Sequence, residues 1–287
     1  DKLDILPSVN AKRILNENSN LRLSLAKTIT RPVAMELLPI NYINADGTSE
    51  SGNPDLKDSE NYNVDFKYEL FPNNKELFAV GVFGKMINDP IERVFKPTAN
   101  SGGQITTFKN SEQAVIYGAE IEMLFQLSRI SKSLSNFSLG FNTSLMSTDV
   151  KIDIKKQGNE LENSTNRKLQ GASNWLINSD LKYDFILNKD WKNSMTLVYN
   201  VYGDRIFAVG SSGIDHIYEK SFSKLYFVWT KKKTKSIELK FGVDNILNPS
   251  YKKELGSKST LNITEDSLIL REFKKGVGFS FNIGYTF

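Results

Sequence analysis

Chemistry needs particular side chains at particular spacings, and few stretches of this chain supply them. Glu120 and Glu122 lie two residues apart, the spacing that puts two carboxylates on one face of a strand as a candidate acid and base. Nothing around them implies an enclosed pocket or a third partner, so a structural role is expected. His216 is the single histidine. Asp215 and Ser211 lie close by, but adjacent positions of one loop do not build a hydrolytic triad. Gly210-Ser211-Ser212-Gly213 lacks the lysine and the strand-to-helix setting of a phosphate loop. Asp46, Glu50, Asp55 and Asp58 crowd one loop and would suit calcium, yet the ordered Asp/Asn and Gly pattern of a calcium hand is missing. Solvated acid is the plainer reading. With no cysteine, disulfides, thiolate metal sites and Cys nucleophiles are excluded. The expectation is a protein with no catalytic residue, no metal and no cofactor.

What positions these side chains is a run of strands with strict period two. Tyr62, Val64, Phe66, Tyr68 and Leu70 alternate with Asn63, Asp65, Lys67 and Glu69, so one side wants hydrocarbon and the other water. The same alternation runs through Val115–Leu127, Phe137–Leu145, Trp175–Asp184, Met195–Asp204 and Ile237–Asp244. It returns at the terminus as Val277, Phe279, Phe281, Ile283, Tyr285, Phe287. Weaker strands fit near Ser8–Leu15, Asn20–Ile29, Leu77–Ile87 and Phe222–Trp229, which makes about eleven with no convincing helix. Stretches of roughly 9–11 residues are the tilted length that crosses a bilayer, whereas soluble strands are usually about half as long.

Composition is consistent with that reading. The chain has 287 residues, 39% hydrophobic and 24% charged, with a mean hydropathy of −0.36. A barrel shows lipid only half of each strand, so no apolar window of about 18 residues is needed. The net charge of +4 is spread out, and the dense run Lys231 to Lys235 is read as a solvated turn, so nucleic acid is not expected as a partner. No signal peptide opens the chain, which is expected to be processed or to be a fragment.

The connections alternate between short and long. Short ones are expected at Asn16–Ser19, Pro72–Lys75, Ser128–Asn136, Asn188–Asn193 and Lys231–Lys235; long ones at Arg31–Ser59, Asn88–Asn110, Lys151–Gly171, Ala208–Ser221 and Asn248–Lys275. An up-and-down membrane barrel sorts its loops in this way, with short turns at one rim. On the apolar faces the charges are Lys27 and Arg205, near long-loop ends where they can snorkel. Aromatics such as Tyr68, Phe71, Trp191 and Trp229 gather near the short-turn rim, as an interfacial girdle would. The polar faces carry Asp65, Glu69, Glu120, Glu122, Asp180, Asp184, Asp204, Glu238 and Asp244 against Lys67, Lys182 and Lys240, which predicts an acidic lumen wall.

Several segments have a familiar order. Thr28-Ile29-Thr30-Arg31-Pro32 is followed by Glu36-Leu37-Leu38-Pro39, and then by Ser51-Gly52-Asn53-Pro54-Asp55-Leu56-Lys57 with Glu60-Asn61-Tyr62. Val80-Gly81-Val82-Phe83 precedes Asn88-Asp89-Pro90-Ile91-Glu92. Tyr117-Gly118-Ala119-Glu120-Ile121-Glu122 and Val243-Asp244-Asn245-Ile246-Leu247-Asn248-Pro249 come later. Over nearly the whole chain this resembles the barrel of TonB-dependent outer-membrane receptors, which are active importers.

The resemblance implies an all-β, antiparallel up-and-down transmembrane barrel of 22 strands in the cell outer membrane. Residues 1–287 would supply the C-terminal portion, about eleven strands, from an extracellular loop at Asp1 to the native end at Phe287. The partners it implies are outer-membrane lipid, the remaining strands and an N-terminal plug domain, the TonB complex reached through that missing part, and the barrel-assembly machinery. A surface lipoprotein is a further partner to test for. Phe287 with Tyr285 resembles the terminal signal that the assembly machinery reads. The lumenal acids Asp65, Glu69, Glu120, Glu122, Asp180, Asp184, Glu238 and Asp244 become candidates for facing the plug. The loop aromatics Tyr42, Phe95, Phe108, Phe207, Tyr218 and Tyr251 become candidates for a substrate vestibule, where rings stack on sugars or chelates.

The function expected is TonB-dependent import of a scarce nutrient, a metal chelate, vitamin, oligosaccharide or peptide. A passive porin or secretion channel is the first alternative, and a soluble β-sandwich binding module the second. Fractionation of native cells separates them: a heat-modifiable outer-membrane band of more than twice 32.5 kDa is expected, whereas a soluble band near 32.5 kDa would favour the sandwich.

Overall fold

The computed structural model describes residues 3–44, 48–97, 104–152, 166–187, 190–211, 214–233, 237–256 and 268–286. Alternating side chains force a chain of this kind into sheet, and numbered in chain order its strands form two sheets. The first contains β1 (Ser8–Asn16), β2 (Ser19–Thr30), β5 (Ser59–Asn73), β6 (Glu76–Asn88), β9 (Gln113–Gln126), β10 (Phe137–Lys151), β12 (Trp175–Leu187), β13 (Trp191–Tyr202), β16 (Phe222–Lys233), β17 (Ile237–Asp244) and β20 (Gly278–Tyr285). Each of these eleven pairs antiparallel with the next in that order, the up-and-down meander expected, and the short β11 (Asn166–Arg167) pairs with β10.

The register carries one face from strand to strand. Leu23 lies opposite Phe66, Phe66 opposite Val82, Val82 opposite Ala119, Ala119 opposite Leu145, and Leu145 opposite Trp175. Lower on the sheet a second row runs from Leu181 through Leu197, Phe227 and Val243 to Phe279. A slip of one residue anywhere would turn that strand's apolar set to the other side. The face has no protein cover: Val82 is 54% exposed and Leu145 61%. Exposed apolar area this continuous is stable only against hydrocarbon.

Tight turns close one rim. Glu17-Asn18 and Asn74-Lys75 are two-residue connections in which the side-chain oxygens of Asn16 and Asn73 accept the backbone N–H groups of Asn18 and Lys75, at 2.9 and 2.8 Å. The turn after β9 is two short 3₁₀ segments, Leu127–Arg129 and Lys132–Leu134. Arg129 there donates to both oxygens of the buried Glu76 carboxylate. The lysine run departs from expectation. Lys231, Lys232 and Lys233 continue β16 opposite Asn193, Lys192 and Trp191, and Lys231 sits 4.7 Å from the Trp191 ring centroid. Consecutive lysines alternate faces in a strand, so Lys231 meets the Trp191 ring while Lys232 pairs with Glu238. Residues 234–236 lie outside the described set.

At the opposite rim the long connections are folded. They contain α1 (Ala34–Leu37) and the second sheet, in the order β19 (Leu268–Lys274), β18 (Ser250–Leu255), β15 (Ile217–Glu219), β14 (Arg205–Gly210), β7 (Ile91–Pro97), β8 (Gln104–Asn110), β4 (Ser49–Ser51) and β3 (Asn41–Ile43). Two joins are parallel and link different connections: Val209 with Val94, and Ser49 with Ile105. Most fully covered apolar side chains belong here, with Phe95, Ala208 and Ile217 at the centre and Phe207, Ile214 and Leu255 packed around them. Strands in loops of mixed composition carry no clean alternation, so the sequence does not announce them. The Asn245–Pro249 segment anchors the last of these connections. Asn245 and Asn248 take positive φ (57° and 42°), and their side chains bond the carbonyl and N–H of Gly276.

Lysine placed on the lipid face at Phe66 or Val82 is expected to cost about 2–4 kcal/mol of barrel stability. Ser24→Lys, opposite Asp65 on the other face, is expected to stay within about 0.5 kcal/mol. Urea unfolding in lipid vesicles checks this, and equal losses on both faces would contradict the assignment of faces.

Candidate functional site

The loops meet around one buried ion pair. Arg167 donates to both oxygens of the Glu92 carboxylate at 2.8 and 2.7 Å, with side chains 3% and 1% exposed. Ser111 Oγ also donates to this carboxylate, as does the Gln170 N–H at 3.0 Å. Every lone pair that water would have served therefore has a donor, which is the condition for burying a charge. The neighbouring Gln170 extends the junction: its side-chain oxygen accepts the Arg93 N–H at 2.7 Å and its amide donates to the Phe207 carbonyl at 2.8 Å. Three connections are thereby held in one register.

Beside this junction lies a cavity of about 520 Å³, within the size range of small-molecule sites. Its wall includes Glu50, Arg93, Phe95, Phe207, Lys253 and Arg271. The Arg93 guanidinium lies 4.8 Å from the Phe207 ring centroid and 5.4 Å from that of Phe108, and donates to Glu50 at 3.4 Å. Lys253 Nζ sits 3.3 Å from the Phe207 centroid, and Arg271 lies over Phe273 at 4.6 Å. Cations over ring faces are attracted by the ring quadrupole and lose freedom in the process. A phenol joins the group: burial, with the Glu50 carboxylate beside it, raises the Tyr42 pKa.

The expected vestibule aromatics fall into two sets. Phe95 and Phe108 are each 6% exposed and serve as packing in the loop sheet, Phe95 also forming part of the cavity wall. Tyr42, Phe207, Tyr218 and Tyr251 are half-buried. Burial raises the pKa of Tyr218 and Tyr251, with Asp215 and Glu219 respectively adding to it. Tyr251 packs on Phe222 and Phe273.

The lumenal candidates Asp65, Glu69, Glu120, Glu122, Asp180, Asp184, Glu238 and Asp244 all lie on the polar face by register. That wall is mixed rather than acidic, because Arg22, Lys85, Lys192, Lys224 and Lys232 share it with Lys67, Lys182 and Lys240. Ion pairs thread it: Arg22–Glu69 at 2.7 Å, Lys67–Glu122 at 2.6 Å, Lys182–Asp184 at 2.9 Å and Lys232–Glu238 at 3.3 Å. Glu122 is thus bound to a lysine, and Asp180 lies against Gly140, where an added Cβ would meet its Oδ1 at 2.1 Å. The bases missed from sequence sit on the weakly alternating strands, in the lysine run, and, for Lys192, at the start of β13 where a short turn was expected.

Other candidates disperse. His216 Nδ1 accepts the Gly210 N–H at 2.9 Å within the β14–β15 hairpin. Glu50 turns to Arg93 and Asp58 lies 3.9 Å from Arg31, while Asp46 is outside the described residues. Among the described residues no cluster of acids and histidine converges on a metal position. Lys27 lies on the lipid face, paired with Glu60 at 2.9 Å, but Arg205 has left the wall for β14, where it binds Glu219 at 3.0 Å. Tyr285 lies in β20 opposite Ile237, and Phe287 is outside the described residues. A larger hollow, about 620 Å³ around Val64, Gly84 and Tyr117, belongs to the surface that hydrocarbon covers.

The family described as "Outer membrane protein beta-barrel family" matches residues 1–281. No functionally curated protein matches the sequence. Among solved structures the chain is similar to a ferric enterobactin receptor mutant from Pseudomonas aeruginosa (17% identity, TM-score 0.52, covering 85% of this chain and 35% of that one). It is also similar to the siderophore receptor PirA from Acinetobacter baumannii (19%, TM-score 0.51, 85% and 37%) and to the copper transporter OprC (19%, TM-score 0.57, 85% and 34%). The chain spans little more than a third of the length of these proteins, and at such identities the likeness is one of fold.

Arg167→Leu is expected to leave Glu92 buried without its counter-charge, at a cost of about 3–5 kcal/mol to the loop junction. Limited proteolysis of the outer-membrane protein should then cut near residues 91–111 while the heat-modifiable barrel persists. The double variant Glu92→Leu/Arg167→Leu should be cut more slowly than the single one.

Proposed function

The chain belongs to the outer membrane protein β-barrel family, and on that premise we propose that it forms part of a TonB-dependent importer that carries a scarce nutrient into the periplasm. The observation that carries this reading is the loop sheet. A passive pore has little use for four connections folded into a sheet over one rim around a cavity, whereas a receptor needs a vestibule that captures cargo before passage. In membrane barrels the long loops face outward and the short turns face the periplasm, which puts the cavity where a dilute nutrient first arrives. The mixed-charge lumen wall suits a polar plug domain in the unshown part of the protein, and energy would reach that plug through TonB. The solved proteins of like fold are named for ferric enterobactin, a siderophore and copper, which supports cargo captured at low concentration. Metal chelates, vitamins, oligosaccharides and peptides all fall within this reading. The role is binding and passage rather than catalysis. The barrel-assembly machinery would insert the protein through its terminal strand, and a surface lipoprotein would be an accessory to capture.

Cells lacking the gene are expected to lose accumulation of one cargo from a panel of labelled ferric chelates, cobalamin, oligosaccharides and peptides. A protonophore should abolish the same uptake in wild-type cells. Uptake that persists after the protonophore would favour a passive channel instead.

A further inference from the structure

We infer that the short-turn rim of the lipid face, on β13 and β16, is a site for an anionic phospholipid whose phosphate lies between Lys231 and Lys233. By register the lipid face of these two strands runs from Leu197 with Phe227 through Met195 with Trp229 and Asn193 with Lys231 to Trp191 with Lys233. On their other side the lysines lie opposite Leu239 and Ile237. Two ammonium groups therefore stand on the surface that lipid covers, two positions apart and roughly 7 Å along the strand. A phosphate between them is within reach of both flexible stems.

Among the described residues nothing neutralises them. The acids of β12 to β20 in this wall, Asp180, Asp184, Glu238 and Asp244, all lie on the opposite face. Lys232, between the two lysines, turns to that face and pairs with Glu238 at 3.3 Å. Neither Lys231 nor Lys233 forms an ion pair among the described residues, Asp190 in the adjoining turn included. The Trp191 ring takes one side of the Lys231 ammonium, which keeps its charge and its remaining donors. The opposite rim differs: Lys27 on the lipid face there has Glu60 beside it at 2.9 Å. Snorkelling into water makes a lone lysine tolerable at an interface. It does not account for two on one face with no acid beside them.

The site is also built in advance. Asn193 is 3% exposed, and its amide donates to the Trp191 carbonyl at 3.2 Å while its oxygen accepts the Trp229 indole N–H at 3.3 Å. Trp191 in turn carries Lys231 at 4.7 Å from its ring centroid. Less freedom then remains to be lost when a headgroup arrives. Met195, Phe227, Leu239 and Phe241 offer apolar surface deeper on the same face for the acyl chains. Short turns of membrane barrels face the periplasm, so this rim meets the inner, phospholipid leaflet of the outer membrane. A zwitterionic headgroup brings its own cation towards the lysines, whereas an anionic one does not. The inference goes beyond import, since it depends on the barrel's membrane setting and not on any cargo.

The test uses the protein extracted from outer membranes in detergent, stripped of lipid and loaded with equimolar phosphatidylglycerol and phosphatidylethanolamine of matched chains. Native mass spectrometry counts the adducts, and phosphatidylglycerol is expected to exceed phosphatidylethanolamine about tenfold. Lys231→Gln/Lys233→Gln should lower that ratio at least about fivefold, the effect of one lysine near an anionic lipid surface. Lys231→Arg/Lys233→Arg should retain it. Lys192→Gln/Lys232→Gln removes the same charge from the polar face of the same strands and should leave the ratio unchanged. Heat-modifiability reports that each variant is folded. Equal adducts of the two lipids, an undiminished ratio in the lipid-face variant, or an equal loss in the polar-face variant would overturn the inference. So would displacement of phosphatidylglycerol by glycerol 3-phosphate, which would mark a site for a free phosphate and not for a lipid.

Discussion

Hydrocarbon offers no hydrogen-bond partner to a peptide group, and most of this structure follows from that constraint. A wall of strands must satisfy its N–H and C=O groups sideways, so the eleven wall strands pair in chain order with scarcely a break. Pairing in turn fixes register, and register decides which side chains meet lipid. The row from Leu23 to Trp175 stays apolar because each of its members sits an even number of positions from its strand neighbours on that face. The outer strands β1 and β20 each pair on one side only among the described residues, so the ladder as described has two open edges. In a bilayer those edges require partners.

The wall has little interior of its own. Its apolar face is reserved for lipid and its other face for water, so protein-protein packing concentrates beyond the rim, where the connections fold on one another. There the rules of a soluble domain return: Phe95, Ala208 and Ile217 form a dry centre, and the Glu92–Arg167 pair survives burial only because Ser111 and Gln170 complete its hydrogen bonds. A buried pair adds little net stability over apolar residues of the same size, but it tolerates few alternative arrangements. Its consequence here is positional. Gln170 next to it ties the strand of Arg93 to that of Phe207, and those two residues form one side of the cavity. The wall itself is threaded by half-exposed ion pairs that contribute little singly and leave a hydrated, nearly balanced surface.

How much of this was legible varied with the strength of the periodic signal. Tyr62–Leu70 separates its faces so completely that both its strand and its orientation could be read directly, and β5 extends only a few residues beyond that stretch. Arg22 and Lys224 lie on strands whose alternation is interrupted by Ser, Thr and Ala, so their place on the polar face was missed and the wall looked acidic. Lys231–Lys233 resembled a turn because composition was read in place of pairing; opposite Trp191, Lys192 and Asn193 the same residues are strand. Glu92 and Arg167 are 75 positions apart, and no local pattern connects them.

The sequence by itself therefore determined the all-β class, the number of wall strands, which face meets lipid, and the division into short and long connections. All of these depend on side chains one or two positions apart, where the pleat imposes the geometry. The tertiary structure alone decided that the long connections form a second sheet, that Phe95 and Phe108 are packing residues, and that Arg93, Lys253 and Arg271 converge on one cavity. Those outcomes depend on parallel joins between segments far apart in the chain, whose pairing becomes possible only after the wall has brought the loop ends together at a common rim.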